Sequence, residues 1–403
     1  MNRLRPALAL LGGLLTLARA PAGEPAPPPP PSRDAVARLL QRVATGQVVF
    51  AGSDNDILRA VLRELGVPIE SQVLVFSRSS MQGGLIRPDR PRALYFSDSV
   101  YVGWVPDGLI EAIAIDAVRG PIFYAFDPQD AREARRTFVR ETSCLRCHTD
   151  NSPRGAPLLF ARSSFTDESG EPLLRHGFET VDDATPFDRR WGGWYVTGYR
   201  GPVPHRGNAF AHERADRLDF TPSAARPAEL ADTFDVSRYL AATSDIVALL
   251  ILEHQMAVQN SLTRASRASA PFDDVSEEVV DRLLFRDAAP LPDEIEGSHA
   301  FRQTFASAAK RSRQGDSLRD LSLRGRLFAH RCSFLVHSDS FAALPLPVRD
   351  AVLRRLCAAL HDPDPHGRYA YLESDEKRRI VEILTETLPA FAALLKSSTP
   401  LSP

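Results

Sequence analysis

Residues 92–126 read RALYFSDSVYVGWVPDGLIEAIAIDAVRGPIFYAF, and four short runs inside that stretch decide the fold. RALYFS (92–97), VYVGWV (100–105), LIEAIAI (109–115) and PIFYAF (121–126) are rich in β-branched and aromatic residues, and Gly, Pro, Asp and Ser stand between them. Such side chains suit a pleated, half-buried surface, and such spacers suit tight turns. Parallel neighbours need a crossover of a dozen or more residues, so connections this short predict an antiparallel sheet. QVLVFS (72–77) adds one more strand upstream.

Two helices precede the strands. Ser32 is placed to cap one running to about Ala44, and Ser53 to cap DNDILRAVLREL (54–65), which Gly66 stops. They are expected to cover one face of the sheet. Downstream, RRWGGWYVTGYRG (189–201) reads as a further strand relieved by glycine. From about 232 the pattern turns helical. SDIVALLILEHQMAVQNSLTRAS (244–266) is a long apolar helix with Ser244 as its cap, and other helical runs begin near Val275, Ser298, Pro347 and Asp375. The expected fold class is α+β, with N-terminal helices, an antiparallel sheet and a mainly helical C-terminal region. The expected division is 32–225 and 232–397, with the boundary inside 216–232. No internal repeat is visible.

The chain has 403 residues, 25% of them charged and 43% hydrophobic, an ordinary globular composition. A formal net charge of −2 gives no basic bias toward nucleic acid or anionic lipid. The N-terminus reads as a secretory leader over 1–22. Arg3 and Arg5 lie ahead of the apolar run PALALLGGLLTL (6–17), and small residues allow cleavage near Ala20 or Ala22. Pro21 would follow a cut at Ala20, which favours Ala22. That apolar run is too short to span a bilayer, and so is IVALLIL (246–252). Residues 23–31, proline-rich, read as an extended tether. The expected product is exported, as to a periplasm, with no membrane span once the leader is removed.

Export narrows what ETSCLRCHTD (141–150) can be. It holds Cys144, Cys147 and His148, and the chain's four cysteines are completed by Cys332 and Cys357. On one helical turn, positions i, i+3 and i+4 share a face. Two thiols there can form thioethers to the two vinyl groups of a haem, and the histidine after the second thiol can ligate its iron. A thioredoxin-like dithiol instead wants a helix N-terminus after a parallel strand, whereas these strands read as antiparallel. A structural zinc site wants a second ligand pair, and Cys332 and Cys357 are single. Those two read as small buried hydrophobes, with a disulfide as the alternative. One covalent haem c with His148 on its iron is the expectation.

Candidates for a second iron ligand are His205 in GPVPHRGNAF, then His254 and Met256 on the long helix, and an open iron is the fourth alternative. His254 reads in the first place as a core histidine with a hydrogen-bond partner, and as a ligand in the second. Arg190 and Trp191, with Arg189, Trp194 and Tyr195, suit haem propionates and the macrocycle; the competing reading is an edge strand.

SRSSMQGGLIRPDRPRALYFSDSVYVGWVPDGLIEAIAIDAVRGPIFYAFD, SCLRCH, RWGGWYVTGYRG, HRGN and ALLILEHQMAVQNSLTRAS together resemble a family of exported bacterial proteins with one cytochrome-c-type haem motif. The resemblance runs over most of the chain after the leader. It implies haem binding, ligation by His148 and a redox role, and it implies no substrate. The helical region is large for a simple carrier and is expected to dock a partner redox protein. SCLRCH amid short strands is also similar to haem-c sensor domains of PAS-like topology, which implies an open iron that takes up a small diatomic gas. No paired acid–base motif supports an enzyme.

Overall fold

A computed structural model of the chain describes residues 33–130, 137–150, 155–361 and 367–398. The expected leader, the tether and Ser32 lie outside the described residues. Six strands form one sheet: β1 Val73–Val75, β2 Arg92–Phe96, β3 Val100–Trp104, β4 Ile110–Asp116, β5 Gly120–Phe126 and β6 Val139–Arg140. Their order in the sheet is their order in the chain, and every pairing is antiparallel. The register sets Leu94 opposite Gly103, Gly103 opposite Glu111, and Glu111 opposite Ala125. Because side chains alternate between faces, that row shares one face with Arg92 and Phe123.

The opposite face carries Ala93, Tyr95, Val102, Trp104, Ala112 and Tyr124, and it packs on helices α1 (Ala35–Ala44) and α2 (Asp54–Leu65). The α2 ends follow the sequence closely. Ser53 and Asp56 form a reciprocal capping box, and Gly66 terminates the helix at φ 66°. The α1 cap differs from expectation: the Asp34 carboxylate accepts from the Ala37 N–H at 2.9 Å.

Helix α3, Ile246–Ser266, is buried almost all round and crosses the first face. The Gln255 amide donates to the Ser97 carbonyl at 2.7 Å and to the Tyr101 hydroxyl at 2.8 Å, which fastens α3 to the β2–β3 turn. The α3 cap is Asp245, which accepts from the Ala248 N–H at 2.8 Å. Ser244, expected there, instead bridges two segments. Its hydroxyl accepts from the Leu74 N–H at 2.8 Å and donates to the Tyr195 carbonyl at 2.6 Å. Beyond α3 come α4 (Asp273–Leu283), α5 (His299–Ser307, capped by Ser298), α6 (Leu346–Leu360), α7 (Ser374–Thr387) and α8 (Pro389–Ser398). The mixed α+β architecture is as expected. No helix among the described residues is long and apolar enough to cross a membrane.

RRWGGWYVTGYRG is not a strand. It makes only isolated bridges, Val75 to Trp194, Thr197 to Asp245 and Tyr199 to Ile295. Trp191, Gly193 and Gly198 all have positive φ, at 67°, 85° and 84°, which no extended ladder can accommodate. The kinked backbone still satisfies its neighbours: the Gly193 carbonyl accepts from the N–H groups of both Phe76 and Ser77.

Candidate haem-attachment site

Cys144, Cys147 and His148 lie on a single tight turn rather than a full helix. Ser143–Arg146 is one short 3₁₀ turn, and the Cys144 carbonyl accepts from the N–H of both Cys147 (3.1 Å) and His148 (3.0 Å). The turn begins where β6 ends. The Ser143 N–H is held by the Glu141 carboxylate at 2.7 Å, and the Thr149 hydroxyl closes back on the Leu145 carbonyl at 2.7 Å. Cys147 is exposed and Cys144 half-buried.

The imidazole is oriented from behind. His148 Nδ1 lies 2.9 Å from the Leu158 carbonyl. A carbonyl only accepts, so Nδ1 carries the proton and Nε2 keeps its lone pair. The same two residues are joined a second time, Leu158 N–H to the His148 carbonyl at 3.0 Å. Phe160 stacks on the ring at 4.3 Å and 15°, and Phe123 of β5 packs against it at 5.0 Å. Burial lowers the His148 pKa, and the nearby Arg92 and Arg162 charges add to that. The result is a neutral imidazole with one nitrogen fixed and the other available, the state in which histidine binds a metal.

Cys144 does not have the character of an attacking redox thiol. Burial first, then the Glu111 and Glu141 charges, push Cys144 up to about 11, whereas attacking thiols in such motifs are held low. No zinc ligand set gathers around the two motif cysteines among the described residues. Among the described residues, the set of His, Cys or acidic ligand atoms that converges within 4.8 Å is Asp316, Asp320 and His330, far along the chain from the motif. Cys332 is fully buried, its thiol pushed up to about 12, and both Cys332 and Cys357 are free thiols.

Beneath the turn, Arg92 of β2 reaches across β3 to pair with Glu111 of β4. Gly103 lets it pass, because a Cβ there would overlap the Arg92 guanidinium. Arg92 Nε is nevertheless buried without a hydrogen-bond partner, and so is Arg162 Nε. Arg162 lies over the rings of Phe160 and Phe178 at 4.6 and 4.8 Å. Two guanidinium groups, each with an unpartnered Nε beside the same imidazole, suit carboxylate groups of a ligand seated there. Met81, Val139 and Leu145 are also left in water around this corner. These observations fit a haem. A cavity of about 590 Å³ lies elsewhere, lined by Phe96, Gln255, Phe301 and Arg319 among others, and none of the three motif residues lines it.

Comparisons with known proteins add no family: no protein-family model, curated protein or solved structure matches this chain.

The remaining site candidates sit apart from the turn. Arg190 and Trp191 are buried and both spent on Glu253 of α3. Arg190 Nη1 and Trp191 Nε1 each donate to that carboxylate at 2.7 Å, and the rest of the guanidinium is taken by the carbonyls of Thr185 and Asp183. His254 has both ring nitrogens occupied, Nδ1 by Asp183 and Nε2 by Ser333, each at 2.8 Å. It is a core histidine. Met256 is 7% exposed within the core. His205 sits in a cage of Phe187, Trp191 and Tyr199 with Nδ1 accepting from the Gly207 N–H. Burial holds it down to about 4. None of these rings touches Phe123 or Phe160. Arg92, Glu111 and Arg162 escape a reading of the sequence. The signal for Arg92 and Glu111 is a charge near the start of each of two largely apolar strands with a glycine in the strand between, and Arg162 carries no such signal.

Proposed function

We propose that this chain is an exported c-type cytochrome that carries one covalent haem and passes single electrons to a partner protein. Thioether links to Cys144 and Cys147 would hold the haem, and His148 Nε2 would ligate its iron. A haem held there supplies a one-electron ferric–ferrous couple. The chain's own contribution is positional and electrostatic. Leu158 fixes the imidazole tautomer, Phe160 and Phe123 fix its plane, and Arg92 and Arg162 offer cations for the propionates. The observation that carries the reading is the Leu158 latch on Nδ1, which leaves one ring nitrogen of a C-x-x-C-H histidine free.

The test is expression with its leader in a host equipped for haem attachment. Intact mass should exceed the leaderless polypeptide by one haem, and the pigment should resist acid-acetone extraction. The C144S/C147S pair should lose it. H148A should keep the covalent pigment with an altered spectrum. A wild-type product with the mass of its amino acids alone would refute the proposal.

A further inference from the structure

The haem reading leaves a second iron position to fill, and a residue the sequence did not single out for it stands beside the motif. We propose that Met81 is that ligand, an inference that rests on the haem reading above. Its sulfur lies 3.6 Å from Cys144 Sγ and 3.6 Å from Ser143 Oγ. Its side chain is 55% exposed. Methionine is an apolar side chain with a soft, neutral sulfur donor, and this one stands in contact with an attachment cysteine.

The loop around Met81 is anchored while its tip is free. Gln82 is buried and clamped to Leu109 in both directions: its Oε1 accepts from the Leu109 N–H at 2.7 Å and its Nε2 donates to the Leu109 carbonyl at 3.1 Å. Arg78 Nε donates to the Gly83 carbonyl at 2.9 Å. Gly83 is needed for this compact path, since a Cβ would stand 2.6 Å from the Arg78 carbonyl oxygen. The backbone on both sides of Met81 is therefore fixed, and the thioether swings from a fixed point at the motif. The competitors are engaged elsewhere: His254 through both nitrogens, Met256 in the core of α3, and His205 inside its aromatic cage. Methionine opposite histidine also raises the potential of a c-type haem, which suits an electron carrier.

The experiment uses the full exported protein with haem attached, as wild type, M81A, M81H and the control M256L. Wild type should show the far-red ferric band of sulfur–iron charge transfer and, when reduced, should resist CO. M81A should lose the band, take up CO readily and fall in midpoint potential. M81H should lose the band and stay closed to CO, and M256L should match wild type. A separate readout needs no electron transfer. Dilute peroxide should oxidise Met81 to its sulfoxide several-fold more slowly in the haem protein than in haem-free C144S/C147S, by peptide mass spectrometry. An M81A spectrum identical to wild type, or equal oxidation rates, overturns the assignment while the covalent haem stands. A wild type with no attached haem overturns both.

Discussion

Glu253 offers the sharpest test of why Arg190 and Trp191 sit where they do. The carboxylate is 1% exposed, its two oxygens take Arg190 and Trp191 at 2.7 Å each, and burial pushes it up to about 7 against the pull of Arg190. Consider three variants: E253L, R190M and the double. E253L strands a guanidinium that cannot shed its proton, and leaves the Trp191 N–H without an acceptor. Removing one partner of a buried pair costs about 3–5 kcal/mol, and the stranded indole about 1–3 kcal/mol more. R190M strands a carboxyl instead, and a carboxyl can escape by taking a proton. Its cost at pH 7 should therefore be smaller, about 2–3 kcal/mol. The double variant should recover most of the charge penalty and retain only the indole's share. The pH dependence separates the two single variants. In R190M the folded-state pKa of Glu253 rises further above its unfolded value, so its folded form holds more protons. Stability is then fullest at low pH and is lost as pH climbs from the unfolded pKa toward the folded one. The R190M deficit should shrink between pH 7 and pH 5, and the E253L deficit should not. Urea titrations followed by tryptophan fluorescence measure all of this. An E253L variant less damaged than R190M, or single variants both within about 1 kcal/mol of wild type, would refute the argument. A haem spectrum disturbed by R190M at unchanged stability would return Arg190 to the cofactor.

Three further outcomes rest on buried groups elsewhere in the structure. His205, caged and held down to about 4, keeps its full contribution above the unfolded histidine pKa and loses it as pH falls toward 4, by about 3 kcal/mol at the end; H205Q should flatten that acid limb in urea titrations. S244A strands the Leu74 N–H and the Tyr195 carbonyl in a fully buried place, and should lower stability by about 2–3 kcal/mol in urea titrations at pH 7. G103A should force the Arg92 guanidinium off Glu111 at a cost of about 1–3 kcal/mol, and in the haem-loaded protein should shift the midpoint potential, measured by redox titration.

The strands and most helix ends were legible because their signals are local. Each of the four runs in 92–126 became a strand, and Ser53 and Gly66 bound α2 as written, since caps and turns depend on neighbouring residues only. The failures are non-local. Ser244 is a good cap by type, yet Asp245 beside it does that work because Leu74 and Tyr195, distant in sequence, claim the Ser244 hydroxyl. RRWGGWYVTGYRG has strand composition, but its glycines and Trp191 turn it where α3 and the Phe76 backbone need it. At the site, the motif announced itself by spacing. Its surroundings did not, because Arg92 and Glu111 meet only through a register that places Gly103 between them.

The division of the first sheet face ties the fold to the proposed chemistry. Near Tyr101 and Ser97 it is sealed by Gln255 of α3, while the rows carrying Arg92, Glu111 and Phe123 lie under the Cys144 turn. The imidazole is therefore half-buried against rings, whereas Cys147 and Leu145 face water. A haem c held through Cys144 and Cys147 would be approached from the water-facing edge of this turn. Electron transfer favours such an exposed edge, because a partner can approach it without opening the fold. Val139 and Leu145 are the apolar side chains such a partner would meet, and replacing Leu145 by Glu should slow transfer to a cognate partner while leaving the spectrum and potential of the isolated protein nearly unchanged. Equal transfer rates for L145E and wild type would place the exit elsewhere.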